Sequence, residues 1–140
     1  MTVADRLRPT LLVLARELRR EKIAGVSSPQ VGLLVSIKHA PGVTVGELAA
    51  DERVSTAAMS KRISRLERDG LVERTPSESD RRCVGLTVTD EGQRTLRRVR
   101  SRRTAWLATR LDALSPAELA AVSAALDPLS RLLDPDQVSA

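Results

Sequence analysis

TVGELAADERVSTAAMSKRISRLERDGLVERTPSESDRRCVGLTVTDEG, residues 44–92, decides the fold. Thr44 with Glu47 three residues on has the capping-box spacing and opens a short helix over Val45–Glu52, with Leu48 and Ala49 facing inward. Ser55 begins a second helix, in which Met59, Ile63 and Leu66 recur at spacings of four and three and so face a core. Gly70 stops it. Leu71–Thr75 and Cys83–Thr87 read as short strands around a polar hairpin tip, and Thr89 caps a new, long helix running to about Asp112. Helix, turn, helix, two-stranded hairpin, helix is the order of a winged helix-turn-helix, so the expected fold class is mainly α with a small β-wing.

Outward from this stretch, Leu7, Leu11, Leu14 and Leu18 stripe an amphipathic helix from Val3 to about Ile23. Ser27, Ser28 and Pro29 supply a cap and an early proline for the next helix, which carries Val31, Leu34 and Val35 and ends before Pro41-Gly42. Beyond the long helix, Ser115-Pro116 and Glu118 start a last helix carrying Leu119, Val122, Leu126, Leu129 and Leu133, with a break or restart expected at Asp127-Pro128. Disorder is expected only in a few residues after Pro135. Three apolar-striped helices exceed what a winged helix of this size needs to close its own core. A homodimer joined through both termini is the expected arrangement, the other possibility being a helical cap on a monomer. The expected divisions are 1–27 (dimerisation helix), 28–92 (DNA-binding winged helix-turn-helix) and 93–140 (long linker helix and second dimerisation helix).

The 140 residues suit one domain. Net charge is +5, but from Arg53 to Arg103 there are 14 basic and seven acidic residues, a local balance of +7 that leaves −2 for the rest. Cations concentrated on the reading module suit a polyphosphate partner, although a plain solvated surface is also charged. Trp106 is the sole aromatic residue, so no stacking platform for single strands exists and double-stranded DNA is the expected partner. Ser55, Thr56, Ala57, Ser60, Lys61, Ser64 and Arg65 lie at the start or on the outer face of the recognition helix. Lys61 has the reach for guanine or a phosphate, while Arg65 and Arg68 suit the backbone. At the wing, Asp80 is expected to orient Arg82 into the minor groove, leaving Arg81 for a phosphate; a weak surface ion pair is the alternative.

The chain has no apolar run of membrane-spanning length, no signal peptide and one cysteine, which points to a cytoplasmic protein without a membrane partner or disulfides. One histidine, His39, and no clustered ligands leave no metal site and no cofactor, and an enzyme is not expected. Cys83 reads as a small strand residue.

VSTAAMSKRISRLERDGLVER (54–74) and DRRCVGLTVTDEG (80–92) resemble the MarR family of bacterial transcriptional regulators. The pattern D-x-R at Asp80 and Arg82, then Leu86-Thr87 and T-x-x-G from Thr89 to Gly92, carries most of that likeness. The resemblance implies a homodimer on a palindromic operator, usually a repressor, released by a small aromatic carboxylate or phenolic effector. Family effector crevices lie between the DNA-binding lobe and the dimer helices, which nominates Arg16, Arg20, Lys38 and His39, together with basic residues of the long helix. The alternative is a sequence-nonspecific architectural DNA-binding protein without an effector.

Overall fold

The computed structural model describes residues 1–76 and 84–133. Its elements are α1 (Val3–Arg19), α2 (Ser28–His39), α3 (Val45–Glu52), α4 (Thr56–Arg68), β1 (Val72–Pro76), β2 (Val84–Val88), α5 (Asp90–Leu111) and α6 (Pro116–Ser130). Two compact units divide within α5, Met1–Arg102 and Arg103–Ala140. The expected fold class is what the chain adopts.

In the first unit, Leu34, Ile37, Met59, Ile63, Leu66 and Leu86 are fully buried and form the centre of one core. The four-and-three spacing of α4 therefore does place Met59, Ile63 and Leu66 inward, and Leu48 and Ala49 of α3 join the same cluster. Local chemistry sets the helix starts. Ser27 caps α2 and exchanges bonds with Gln30 in a full capping box. At α3 only half of the expected box forms: the Thr44 hydroxyl accepts the Glu47 amide at 3.1 Å.

Several boundaries differ from the sequence expectation. The first helix ends at Arg19 rather than near Ile23, because Ala24 and Gly25 both take positive φ (53° and 77°) and turn the chain back on itself. Ile23 and Val26 then exchange backbone bonds of 3.2 and 3.0 Å across this two-residue turn, and both side chains enter the core. The first strand begins one residue later than expected, at Val72, and the second ends one residue later, at Val88. β1 and β2 pair antiparallel with Val72 opposite Val88 and Arg74 opposite Leu86. An unexpected third segment joins them: the Leu86 amide donates to the Val43 carbonyl at 2.8 Å and the Gly42 amide to the Leu86 carbonyl at 2.9 Å. The expected break at Pro128 does not occur, and α6 continues to Ser130. The amide proton that Pro128 lacks would have bonded Ala124, so the loss falls in the last turn, where few later bonds depend on it. The tail after Pro135 lies outside the described residues.

The terminal helices are different in kind. Neither α1 nor α6 has a buried residue. Val3, Leu11, Leu12, Val13 and Leu14 of α1, and Leu119, Val122 and Leu126 of α6, are exposed apolar side chains. Both helices are nonetheless well started, by capping boxes of Thr2 with Asp5 and Ser115 with Glu118. The hydrogen bonds from the cap amide and hydroxyl hold each carboxyl below its ordinary range.

The tightest packing is where β2 passes into α5. The Thr89 hydroxyl donates to the Gly70 carbonyl at 2.6 Å and accepts the Gly92 amide at 3.0 Å, while the Thr89 amide donates to the Leu71 carbonyl at 3.0 Å. A Cβ on Gly92 would overlap the Leu71 carbonyl oxygen and press on Val88, and the carbonyl belongs to backbone that cannot rotate away. Gly92→Ala is expected to lower unfolding stability by about 3 kcal/mol, the upper range for overpacking, with a matching shift of the urea midpoint. An unchanged midpoint would show that the contact relaxes freely.

Candidate nucleic-acid interface

α3 and α4 are joined by a turn of three residues, Arg53 to Ser55. Arg53 takes the left-handed conformation (φ 55°) that ends α3, its amide donating to the Ala49 and Ala50 carbonyls, and the Val54 amide donates to the Ala49 carbonyl at 3.0 Å. Ser55 follows in an extended conformation, and its hydroxyl accepts the Ala58 amide at 3.1 Å. That capping bond orients the first turn of α4 and occupies one acceptor site of Ser55, which leaves its hydroxyl proton available.

With Met59, Ile63 and Leu66 anchored in the core, helical geometry sends the intervening residues outward. Thr56, Ala57, Lys61 and Arg65 are exposed, whereas Ser60 and Ser64 are half-buried along the edges of that face. Most of the expected contact residues thus share one surface, continued by exposed Arg62 and Arg68. Lys61, Arg65 and Arg68 make no ion pair with another described residue. Arg65 and Arg68 occupy the last turn, where the helix dipole favours cations. Lys61 stands a turn and a half past the helix start, within reach of a groove entered by its first turn. This face is a preformed cationic ridge with short side chains at its leading end, a shape and charge that suit duplex DNA.

Sequence reading missed the pair that ties α4 to the hairpin, Glu67 Oε2 to Arg74 Nε at 3.2 Å. The expected wing residues Asp80, Arg81 and Arg82, like Cys83, lie outside the described residues. The residues nominated for an effector are not gathered together. Arg16 and Arg20 line a shallow crevice with Glu17 and Arg19 on the last turns of α1, and Arg20 is 3.5 Å from Glu17. Lys38, half-buried, and His39, exposed, end α2 and do not line that crevice. A separate crevice of about 670 Å³ in the first unit is bordered by Ile23, Ala24 and four arginines of α5, Arg94, Arg97, Arg98 and Arg102. Only the general nomination of basic residues on the long helix pointed there. Among the described residues there is no cluster of three metal-ligating side chains, and no helix is long and apolar enough to cross a membrane.

Residues 26–84 match the MarR family. A helix-turn-helix transcriptional regulator of Mycobacterium tuberculosis is 32% identical over 133 residues, 94% of this chain and 93% of that protein. Among solved structures, a transcriptional regulator protein from Pseudomonas aeruginosa is 33% identical, with a TM-score of 0.76 over 93% of each chain. FabT of Streptococcus pneumoniae, solved in complex with DNA, is 25% identical, with a TM-score of 0.55 over 93% of this chain and 91% of that one.

Lys61→Ala is expected to leave thermal stability unchanged and to shallow the slope of log affinity against log salt on duplex DNA by about one per protomer, the signature of one lost phosphate contact. An unaltered slope would remove Lys61 from the interface.

Proposed function

Because the chain belongs to the MarR family of DNA-binding transcriptional regulators, we propose that it acts as a homodimeric repressor on a palindromic operator and is released by a small aromatic carboxylate or phenolic ligand. The observation that carries the operator-reading part is α4 itself, fully buried on one side through Met59, Ile63 and Leu66 and exposing Lys61, Arg65 and Arg68 on another. The first-turn residues Ser55, Thr56 and Ala57, with Ser60 and Ser64, approach base edges, while the cations hold the phosphates. For Asp80, Arg81 and Arg82 the proposal rests on sequence alone: Asp80 orients Arg82 toward the minor groove and Arg81 takes a phosphate. The site of action is the cytoplasm, where the chromosome lies.

Dimerisation is supported by the unburied apolar residues of α1 and α6. Covering a half-exposed leucine contributes on the order of 1 kcal/mol, so the apolar residues of each helix gain from burial against a second copy of the chain. A two-fold dimer places two copies of α4 on successive faces of the duplex, which makes an inverted repeat the natural target.

Release by a ligand is supported by the family resemblance and by the arginine-bordered crevice. A carboxylate or phenolate there meets the guanidinium groups of Arg94, Arg97, Arg98 and Arg102, and an aromatic ring finds Ile23. The ligand needs only to prefer, by a few kcal/mol, a dimer form whose recognition helices are wrongly spaced.

The test is binding at physiological salt to an inverted repeat that the protein selects from a random duplex pool, measured against a scrambled duplex. A preference of about 10³ or more is expected. A ratio near one would instead identify a sequence-nonspecific architectural protein. Salicylate is expected to weaken the specific complex in the wild type and to lose that effect in Arg98→Ala.

Leu126→Glu places a charge in the proposed dimer surface at a position 58% exposed in the single chain. It is expected to shift sedimentation from dimer to monomer and to abolish preference for the inverted repeat while helical content is kept. A variant that remains dimeric would exclude α6 from the interface.

A further inference from the structure

Arg74 occupies an unusual register. It lies opposite Leu86 in the ladder, and residues directly opposite in an antiparallel pair project from the same face. Leu86 is fully buried, and Val72, two residues before Arg74 and therefore on that face as well, is 2% exposed. Arg74 thus shares the hairpin face whose base, at Val72 and Leu86, is buried in the core, while Arg74 itself is exposed. Its side chain is 32% exposed, and Glu67 in the last turn of α4 meets it. The other ion pairs among the described residues, Arg20 with Glu17 and Arg94 with Glu91, join residues three apart within one segment. Glu67–Arg74 alone among them spans two elements of the reading module.

We infer that the Glu67–Arg74 pair is a positioning device for DNA recognition, fixing the angle of the β-hairpin against the recognition helix so that both meet the duplex in register. The inference rests on the operator-reading proposal above. Neither residue needs to touch a base. Near their shared end, α4 and β1 are already linked by backbone, the Leu71 amide donating to the Leu66 carbonyl at 2.9 Å, but this bond lies close to the hinge. The ion pair acts three residues farther along the chain, within β1, where the same force has a longer lever over hairpin tilt. Glu67 is otherwise hard to explain in such a place. A carboxylate beside a cationic ridge repels phosphate, and at the end of a helix it opposes the dipole.

The sign of the mutational effect separates positioning from plain electrostatics. Removing Glu67 adds net positive charge near DNA, so charge alone predicts tighter binding to every duplex. Positioning predicts that Glu67→Ala binds scrambled DNA as well as the wild type or better, yet loses preference for the selected inverted repeat. The expected loss is about threefold per half-site, hence about tenfold for a dimer on a full repeat, a size suited to a half-exposed pair. Arg74→Ala should lose the same preference, and the double variant should be no worse than either single variant, because the two residues act as one unit.

The experiment measures anisotropy titrations of the four proteins on the selected repeat and on its scrambled version, with melting curves. Retained preference in Glu67→Ala, or losses that add in the double variant, overturns the inference. A melting point lowered by more than about 5 °C with equal losses on both duplexes assigns the pair to stability alone and overturns it too. A wild type that enriches no sequence from the pool defeats the operator reading itself and the pair's role with it. A wild type with strong preference and an undisturbed Glu67→Ala defeats only the pair.

Discussion

The carbonyl groups of Gly70 and Leu71 are where the reading module is held together. α4 ends there through Gly70, whose φ of 76° lets the chain reverse, and the Leu71 amide closes back on the Leu66 carbonyl. The same two carbonyls then receive the Thr89 hydroxyl and amide as β2 gives way to α5. Gly92 packs so closely over Leu71 that only a hydrogen fits in place of a side chain. Recognition helix, hairpin base and the first turn of α5 therefore share one set of short, mutually dependent bonds. Interiors this dense shift as bodies rather than bend, so α4 and the beginning of α5 move together.

That coupling gives the basic residues of α5 a second significance. Arg94 and Arg98 are four apart, as are Arg98 and Arg102, and like charges at that spacing destabilise a helix by a few tenths of a kcal/mol per pair. Glu91 relieves Arg94, at 2.9 Å. On the proposed reading, an anion in the crevice offsets the remaining repulsion and so favours whichever position of α5 brings the guanidinium groups closest to it. Arg98 is six residues beyond Gly92, under two helical turns from the junction that carries α4. The route from ligand to recognition helix then needs no chain of relayed side-chain shifts.

Much of the fold was legible because it is local. The spacing of Met59, Ile63 and Leu66 and the caps at Ser27, Ser55 and Ser115 follow from helix geometry and unpaired backbone amides, which any sequence displays in order. What was not legible depends on residues far apart in the chain. The bridge between Leu86 and Val43 joins residues 43 apart in the chain, so no local pattern announces it. The first helix was expected to run on to about Ile23, but the positive φ of Ala24 and Gly25 turns that residue into the core instead. Glu67 and Arg74 follow no common period, one belonging to a helix and one to a strand, so nothing in the sequence pairs them. The effector candidates divide between two places, Arg16 and Arg20 on one crevice and Lys38 and His39 at the end of α2, for a related reason: charge type suggests a ligand site, but convergence of charges is a property of packing.

The exposed apolar helices and the buried core follow different rules of composition. Core residues of the first unit come from α2, α3, α4 and the hairpin, with Leu96 and Val99 of α5 and with Ile23, Val26, Val43 and Leu71 of the connecting segments, and include no buried side chain from α1 or α6. The reading module is thus closed by its own residues, while the terminal helices keep their leucines uncommitted. On the proposed function, a module whose core needs neither helix can change its placement across the dimer surface without unfolding. On the proposed function, this separation is what lets a weakly differential ligand act: it alters the spacing of two intact reading heads, and the cost is confined to an interface rather than charged to the core.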